Sequence, residues 1–206
     1  MMKTVLMVLL EQYADWEAAY VSTAIHMLGQ GDFAVKTVSL SEEAITSIGG
    51  IQTVPDYSVE TAPKSYEALL LIGGMRWREE SALGVLPLVE HCLQNGTLLA
   101  AICDAAGFLS SVGLLDKVRH TGNGLSNLQG WKGTRYRGAA NYQAKQAVRD
   151  ENIITANISA TLEFTREILL ALRIAEDNVI EDSYSLHKLG YYNTSSHNQF
   201  AAIMEA

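Results

Sequence analysis

One cysteine in this sequence lies where a buried strand is expected to meet a helix. Cys103 follows the apolar run 97–102 and precedes a stretch with helical spacing, which places it at the carboxyl edge of a sheet, where α/β proteins bind ligands. The residues two before and two after it, Ala101 and Ala105, are small, as a sharp strand-to-helix turn requires. A helix N-terminus behind the sulfur favours the nucleophilic thiolate. The pattern indicates a reactive cysteine, and an inert buried cysteine is the alternative.

The segments around Cys103 alternate short apolar runs with helical periodicity, which is typical of βαβ units and a mostly parallel sheet. Strands are predicted at 5–10, 33–40, 68–72, 97–102, 118–121 and 152–156. Helices are predicted at 16–28, 81–93, 104–112, 161–172 and 176–189. A turn or hairpin is expected over 45–56, and 122–142 is expected to be mainly loop. Because no linker-like stretch or repeat interrupts the chain, the sequence predicts one α/β domain over 1–206.

Composition disfavours several classes of function. The 206 residues carry 15 Lys and Arg against 23 Asp and Glu, a net charge of −8, so a nucleic-acid or anionic-membrane partner is not expected. The apolar run 5–10 is too short for a signal peptide, and no run reaches the length of a membrane span. Cys92 and Cys103 form no C-x-x-C pair for zinc or redox chemistry, so no metal or other cofactor is expected. The expected compartment is the reducing cytoplasm.

Four segments together resemble the ThiJ/PfpI family of the class I glutamine amidotransferase-like superfamily. They are AICDAAGFL at 101–109, LIGG at 71–74, YADWE at 13–17, and the strand and helix start covering 152–164. They occur in the family's order and span most of the chain. The resemblance implies a flavodoxin-like three-layer sandwich and suggests a homodimer.

The resemblance also implies roles for individual residues. Cys103 matches the reactive cysteine, and Glu17 matches an acidic residue that lies against its sulfur in many members. Such a carboxyl must be protonated or well hydrogen-bonded to lie beside a thiolate. Gly74 and Asp104 match the positions whose backbone N–H groups form the family's oxyanion site. From the residues alone, Glu17 could equally be an exposed helix charge, and Gly73-Gly74 a simple turn.

The sequence departs from the family at Asp104, where peptidase-type members carry histidine. Aspartate is a weak base for a thiol near neutral pH, and its charge opposes thiolate formation. His120 is the candidate for the missing general base, because some members place an active-site histidine nearby; a strand-end histidine bonded to a carbonyl is the alternative. Arg76 and Arg78 are expected to be solvated, with Trp77 packed on a neighbour; the alternative is that they rim the pocket, where arginine could bind an anionic substrate.

Two functions of different classes remain open. The first is a cysteine-dependent hydrolase or lyase acting on a peptide or a small carbonyl or amide compound, of peptidase, amidase or glyoxalase/deglycase type. The alternative is a non-catalytic redox-sensing or stress-response protein in which Cys103 is oxidised beside Glu17. A glutaminase subunit is disfavoured, because the only histidines after His120 are His187 and His197, in the C-terminal helix or tail.

Overall fold

A seven-stranded sheet runs through the middle of the molecule. The structure is a computed structural model that describes residues 2–194. Its strands are β1 (Lys3–Val8), β2 (Phe33–Ser39), β3 (Ile45–Thr46), β4 (Gln52–Thr53), β5 (Tyr57–Ser58), β6 (Ala68–Leu71), β7 (Leu98–Ile102), β8 (Ala147–Asp150) and β9 (Ile153–Ala156). The order in the sheet is β5-β2-β1-β6-β7-β9-β8, and β3 and β4 form the separate hairpin predicted over 45–56. Every neighbouring pair in the sheet is parallel except β8 with β9.

Helices cover both faces of this sheet. They are α1 (Asp15–Leu28), α2 (Leu86–Gln94), α3 (Asp104–Ser111), α4 (Leu125–Gln129), α5 (Thr161–Leu172) and α6 (Asp177–Leu189). One core contains residues of α1, α5 and α6, and the other contains residues of α2 and α3. The central strands β2-β1-β6-β7-β9 follow the flavodoxin-like order. The predicted three-layer sandwich is therefore confirmed.

The central strands are apolar throughout because both of their faces are buried. In β1, Val5 and Met7 pack toward α1 and α5, whereas Leu6 and Val8 pack toward the opposite layer. A strand with one solvated face would alternate polar and apolar residues instead. The continuous apolar run in the sequence therefore indicates a strand that is covered by helices on both faces.

Some boundaries differ from the sequence-based expectation. The strand predicted at 118–121 is wrong: in the described chain His120 makes only an isolated bridge with Tyr142, because β8 occupies the sheet edge beside β9. The helix expected from residue 81 begins as a 3₁₀ helix over Glu80–Val85, and α2 starts at Leu86 with Pro87 in its first turn.

The loop expected over 122–142 contains the short α4 and a 3₁₀ turn, Gly138–Asn141. His197 lies in 195–206, outside the described residues. Within 2–194, none of the helices has the length and apolar character needed to cross a membrane.

Candidate active site

Three adjacent parallel strands deliver the candidate residues to one edge of the sheet. The chain leaves β1 toward Glu17 in α1, leaves β6 through Gly73 and Gly74, and leaves β7 at Cys103. Tyr13 and Gly74 pair in an antiparallel bridge that ties the first two connections together. The site lies at the carboxyl ends of neighbouring strands, the usual ligand-binding edge of such folds.

Cys103 occupies the turn between β7 and α3 in a strained conformation. Its φ of 59° and ψ of −130° lie in a region that side chains other than glycine rarely adopt. Its N–H donates to the Ala156 carbonyl at 3.0 Å, and Ala101 and Ala105 beside it are fully buried. Cys103 as a whole retains 8% exposure, whereas Ala101 and Ala105 retain none. The geometry is that of a nucleophile elbow.

Glu17 is a completely buried carboxyl that faces this turn. Its Oε2 accepts the Gly73 N–H at 2.8 Å, whereas its Oε1 has no hydrogen-bond partner among the described residues. Burial raises the pKa of Glu17 to about 7, although hydrogen bonds from the Gly73 N–H and the Cys103 thiol act in the opposite direction. Glu17 therefore exchanges its proton near neutral pH rather than in the usual acidic range.

The Cys103 thiol is influenced by the same neighbours. Burial and the negative charge of Glu17 raise the pKa of Cys103 to about 11, while hydrogen bonds from Asn123 and from the Asp104 N–H oppose this. Protonation of Glu17 removes the second of the causes that raise the thiol pKa. Because the pKa of the thiol lies above that of Glu17, the resting site near neutral pH keeps the proton on sulfur, and that proton must leave before Cys103 can act as a thiolate.

Gly73 separates Glu17 from Cys103, and no side chain fits there. A Cβ at this position would lie 2.5 Å from the Cys103 Cβ and 2.5 Å from the Glu17 Oε2. The chain leaving β6 can therefore run against both groups only because residue 73 is glycine.

We expect Gly73→Ala to lower the free energy of unfolding by about 1–3 kcal/mol, because either Glu17 or the Cys103 turn must move to admit the methyl group. Urea unfolding at neutral pH measures this. Gly84→Ala is the matched control, since a Cβ there meets only the end of the flexible Leu40 side chain, at 3.0 Å. Equal stability of the two variants would contradict the packing described for residue 73.

The resemblance predicts an oxyanion site made by the backbone N–H groups of Gly74 and Asp104. The Asp104 N–H, at the start of α3, lowers the pKa of the thiol by hydrogen bonding. The Gly74 N–H makes no hydrogen bond with residues 2–194. A Cβ at Gly74 would lie 2.6 Å from the Gln12 carbonyl oxygen, so glycine is required for this close approach. Both groups are available to a developing oxyanion.

The Asp104 side chain takes part in an ion pair at the mouth of the site. Arg78 donates Nε to Asp104 Oδ2 at 2.8 Å and Nη2 to Oδ1 at 3.2 Å. Arg78 remains partly exposed to solvent, and the turn after β6 brings it over the start of α3, at the rim of the site. Trp77 is buried as expected, with Nε1 donating to the Ile72 carbonyl at 2.7 Å.

His120 is not brought to the cysteine. Its Nε2 bonds to the Tyr136 hydroxyl at 2.8 Å and its Nδ1 to the Val118 carbonyl at 2.7 Å, so both ring nitrogens are engaged. Burial lowers the pKa of this histidine. Its role as the general base stays a prediction without support from this geometry.

The residue of the same segment that reaches the sulfur is Asn123. Its Nδ2 lies 3.4 Å from the Cys103 Sγ and 3.2 Å from the Asp104 Oδ1. The sequence analysis missed this residue because an asparagine between two glycines is an ordinary turn signal. Nothing in its spacing from Cys103, twenty residues away, points to contact.

A cleft of about 630 Å³ opens beside Asn123. Its lining includes the polar side chains of Lys145, Gln146 and Asn157 together with the larger side chains of Tyr142 and Ile158. Residues 2–194 contain no cluster of three or more His, Cys, Asp or Glu side chains able to hold a metal ion.

The strand order defines a flavodoxin-like α/β protein, and Cys103 lies in a strained strand-to-helix turn at the carboxyl edge of its sheet. The chain belongs to the DJ-1/PfpI family, whose model matches residues 3–171, and the resemblance drawn from the sequence is thereby confirmed.

Similar proteins cover almost the whole chain. An uncharacterized protease of Bacillus subtilis, YdeA, is 36% identical over 93% of this chain and 94% of its own length. A second uncharacterized protease of that organism, YoaZ, is 31% identical over 85% of this chain and 86% of its own. The crystal structure of a ThiJ/PfpI family protein of Bacillus anthracis is 30% identical and superposes with a TM-score of 0.86, covering 100% of this chain and 98% of that one.

Proposed function

We propose that this protein is a cysteine-dependent hydrolase or lyase that acts on a peptide or a small carbonyl or amide compound. The observation that carries the proposal is the strained Cys103 turn facing the fully buried Glu17 across Gly73. A strained backbone at the nucleophile and a carboxyl pKa shifted toward neutrality are features that enzymes use for covalent catalysis. The protease names of the Bacillus subtilis relatives support the hydrolase class.

Glu17 is the group best suited to move the proton in this reaction. With a pKa of about 7, its carboxylate accepts the thiol proton and its acid form donates it again near neutral pH. On an amide substrate, the Cys103 thiolate attacks the carbonyl carbon and forms a C–S bond, while the π electron pair moves to oxygen beside the Gly74 and Asp104 N–H groups. Collapse breaks the C–N bond, the leaving nitrogen takes the proton from Glu17, and water hydrolyses the thioester.

The same attack on an aldehyde gives a hemithioacetal. The sulfur bonds to the carbonyl carbon, and the thiol proton passes through Glu17 to the oxygen. The site therefore supports either substrate class, and the cleft beside Asn123 has room for a neutral polar group on the substrate.

A direct test exposes the protein to a chromogenic peptide amide, a small primary amide and an α-oxoaldehyde, and measures consumption of each. We expect turnover of at least one, and its loss after Cys103 is blocked with iodoacetamide. Peptide mass spectrometry verifies that Cys92 is not alkylated; Cys92 is fully buried, and burial raises its thiol pKa to about 12. No turnover in any assay, or equal turnover after blocking, would contradict the proposal.

A redox role for Cys103 is the second candidate, and the unpartnered Glu17 Oε1 favours it. Two molecules of hydrogen peroxide oxidise the thiolate through sulfenate to sulfinate, each transferring one oxygen atom to sulfur and leaving as one water, and a protonated Oε1 could donate a hydrogen bond to the product. Intact mass after peroxide treatment tests this. A gain of two oxygen atoms at Cys103 in wild type but not in Glu17→Ala would support this role.

A further inference from the structure

The orientation of the Asn123 amide is determined by its neighbours. Its Oδ1 accepts the backbone N–H of Ile158 at 2.8 Å. Because that N–H can only donate, the NH₂ group must face the other way, toward the Cys103 sulfur and the Asp104 Oδ1. The two N–H bonds of the amide thus meet two acceptors, and no other rotamer or flip satisfies all three partners.

The Asp104 carboxylate accepts one of the two N–H groups of Asn123, and its negative charge is offset by Arg78. Two nitrogens of Arg78 donate to this carboxylate, in the fork geometry that makes arginine–carboxylate pairs specific. The Arg78 side chain makes two further contacts. Its guanidinium lies 4.4 Å from the Trp131 ring centroid, and its Nη2 lies 3.4 Å from the Asn127 Oδ1.

The Trp131 ring packs directly against α3 at Gly107, where any larger residue would collide with it. A Cβ at Gly107 would lie 2.4 Å from the Trp131 Cζ2. The indole Nε1 also donates to the Asn127 Oδ1 at 3.3 Å. The segment that carries Asn123 is therefore anchored to the helix that begins at Cys103, and a continuous set of contacts runs from Gly107 to the sulfur.

We propose that Asn123 is a catalytic residue that stabilises the Cys103 thiolate, and that Asp104 and Arg78 are positioning residues that hold its amide toward the sulfur. This inference rests on the proposed function in that Cys103 acts as a thiolate. It explains how the site works with aspartate where peptidase-type members have histidine. Asn123 supplies the hydrogen bond to sulfur, Arg78 offsets the charge of Asp104, and Glu17 moves the proton.

The charged groups that face the sulfur agree with this assignment. Glu17 approaches from α1 and Asp104 from α3, and both raise the pKa of the thiol. The Asn123 hydrogen bond lowers it, and Arg78 is the cation that pairs with Asp104. Loss of the Asn123 donor leaves the two acidic groups opposed only by the Asp104 N–H and by Arg78.

The rate of iodoacetamide alkylation of Cys103 against pH tests the role of Asn123, with Cys103 and Cys92 peptides separated by mass spectrometry. In Asn123→Ala the apparent thiol pKa is expected to rise by about one unit, so that alkylation at about pH 8 slows about tenfold. Asn123→Asp, which is nearly isosteric, is expected to slow it further, because a carboxylate replaces the donor. Asn152→Ala is the matched control, since its Nδ2 donates to the Gly96 carbonyl at the opposite end of the sheet.

The positioning residues are tested by rescue. Arg78→Ala is expected to slow alkylation because the Asp104 charge is then uncompensated, and Arg78→Lys is expected to fall between Arg78→Ala and wild type. The double variant Arg78→Ala with Asp104→Asn is expected to recover most of the rate, since it removes the charge but keeps an oxygen acceptor for Asn123. Failure of this rescue would overturn the positioning role.

Asn123→Ala and Asn123→Asp profiles that both overlap the wild-type profile would overturn the role of Asn123. Circular dichroism verifies that each variant is folded, and the two variants give independent readings of the same hydrogen bond. Alkylation does not depend on turnover. A protein that turns over no substrate but shows the Asn123-dependent profile would contradict the hydrolase proposal alone.

Discussion

Replacing Cys103 by serine is expected to reduce hydrolytic or glyoxalase-type turnover by about a thousandfold or more, while the free energy of unfolding changes by less than about 1 kcal/mol. Serine fits the same turn, because it is slightly smaller and keeps a hydrogen-bonding group near Asn123. Its hydroxyl is far less acidic than a thiol, and a carboxyl with a pKa of about 7 cannot deprotonate it usefully. Initial rates on whichever substrate is turned over, together with urea unfolding, measure both quantities.

Cys92→Ser is the matched control for this substitution. Cys92 is buried in the second core, where its Sγ lies 3.5 Å from the Thr97 carbonyl oxygen and 3.6 Å from that of Leu98. A serine hydroxyl can donate to the same oxygens, and turnover should persist. A fully active Cys103→Ser variant would show that Cys103 is not the nucleophile.

Glu17→Gln is expected to make the protein more stable at alkaline pH and less active. Burial raises the pKa of Glu17 from 4.5 to about 7 in the folded state, so the folded protein binds the proton more tightly than the unfolded chain. The stabilisation from this proton is complete below about pH 4.5 and is lost as pH rises through about 7. Glutamine is neutral at every pH and still accepts the Gly73 N–H. The variant should therefore gain about 3 kcal/mol over wild type at about pH 8 and little at about pH 4.5.

Urea unfolding at these two pH values, with activity measured in parallel, separates the two effects of Glu17→Gln. Loss of the proton-transferring group is expected to lower turnover by about 10²–10⁴-fold even though the fold is more stable. Glu163→Gln is the control, and this substitution is expected to lower the free energy of unfolding at neutral pH, whereas Glu17→Gln raises it. Burial raises the pKa of Glu163, but the hydrogen bonds from Lys188 and Tyr184 outweigh it and hold that pKa below its usual value. A stability gain for Glu17→Gln that does not depend on pH would contradict the buried, shifted carboxyl.

Much of the fold follows from local patterns in the sequence. The apolar runs at β1, β6 and β7 predict buried parallel strands because a strand covered on both faces tolerates no alternation of polar residues. The edge strand β8 was missed, since AVRD at 147–150 has one exposed face and no continuous apolar run. The order of the strands in the sheet depends on pairing between segments that are distant in the sequence. The residue patterns did not predict this order, whereas the family resemblance did.

The sequence by itself determined the cysteine and its turn. Small residues on both sides of Cys103, between an apolar strand and a helical stretch, specify an elbow through sterics that act within a few residues of chain. The two glycines after β6 predicted by themselves only a turn; the family resemblance suggested the close approach that the structure shows. Steric constraints of the kind that shape the Cys103 turn act between neighbouring residues, so they can be predicted from a short stretch of sequence.

Only the tertiary structure decided which polar groups surround the sulfur. His120 is the type of residue that the chemistry suggested, yet its ring is bonded to Tyr136 and Val118, whereas Asn123, three residues later, reaches Cys103. Nothing in the sequence around Arg78 predicts its ion pair with Asp104. The Asn123–Cys103 and Arg78–Asp104 contacts join residues twenty or more positions apart. They depend on the path of the chain after β6 for Arg78 and after β7 for Asn123, and loop packing rather than residue type selects the partner.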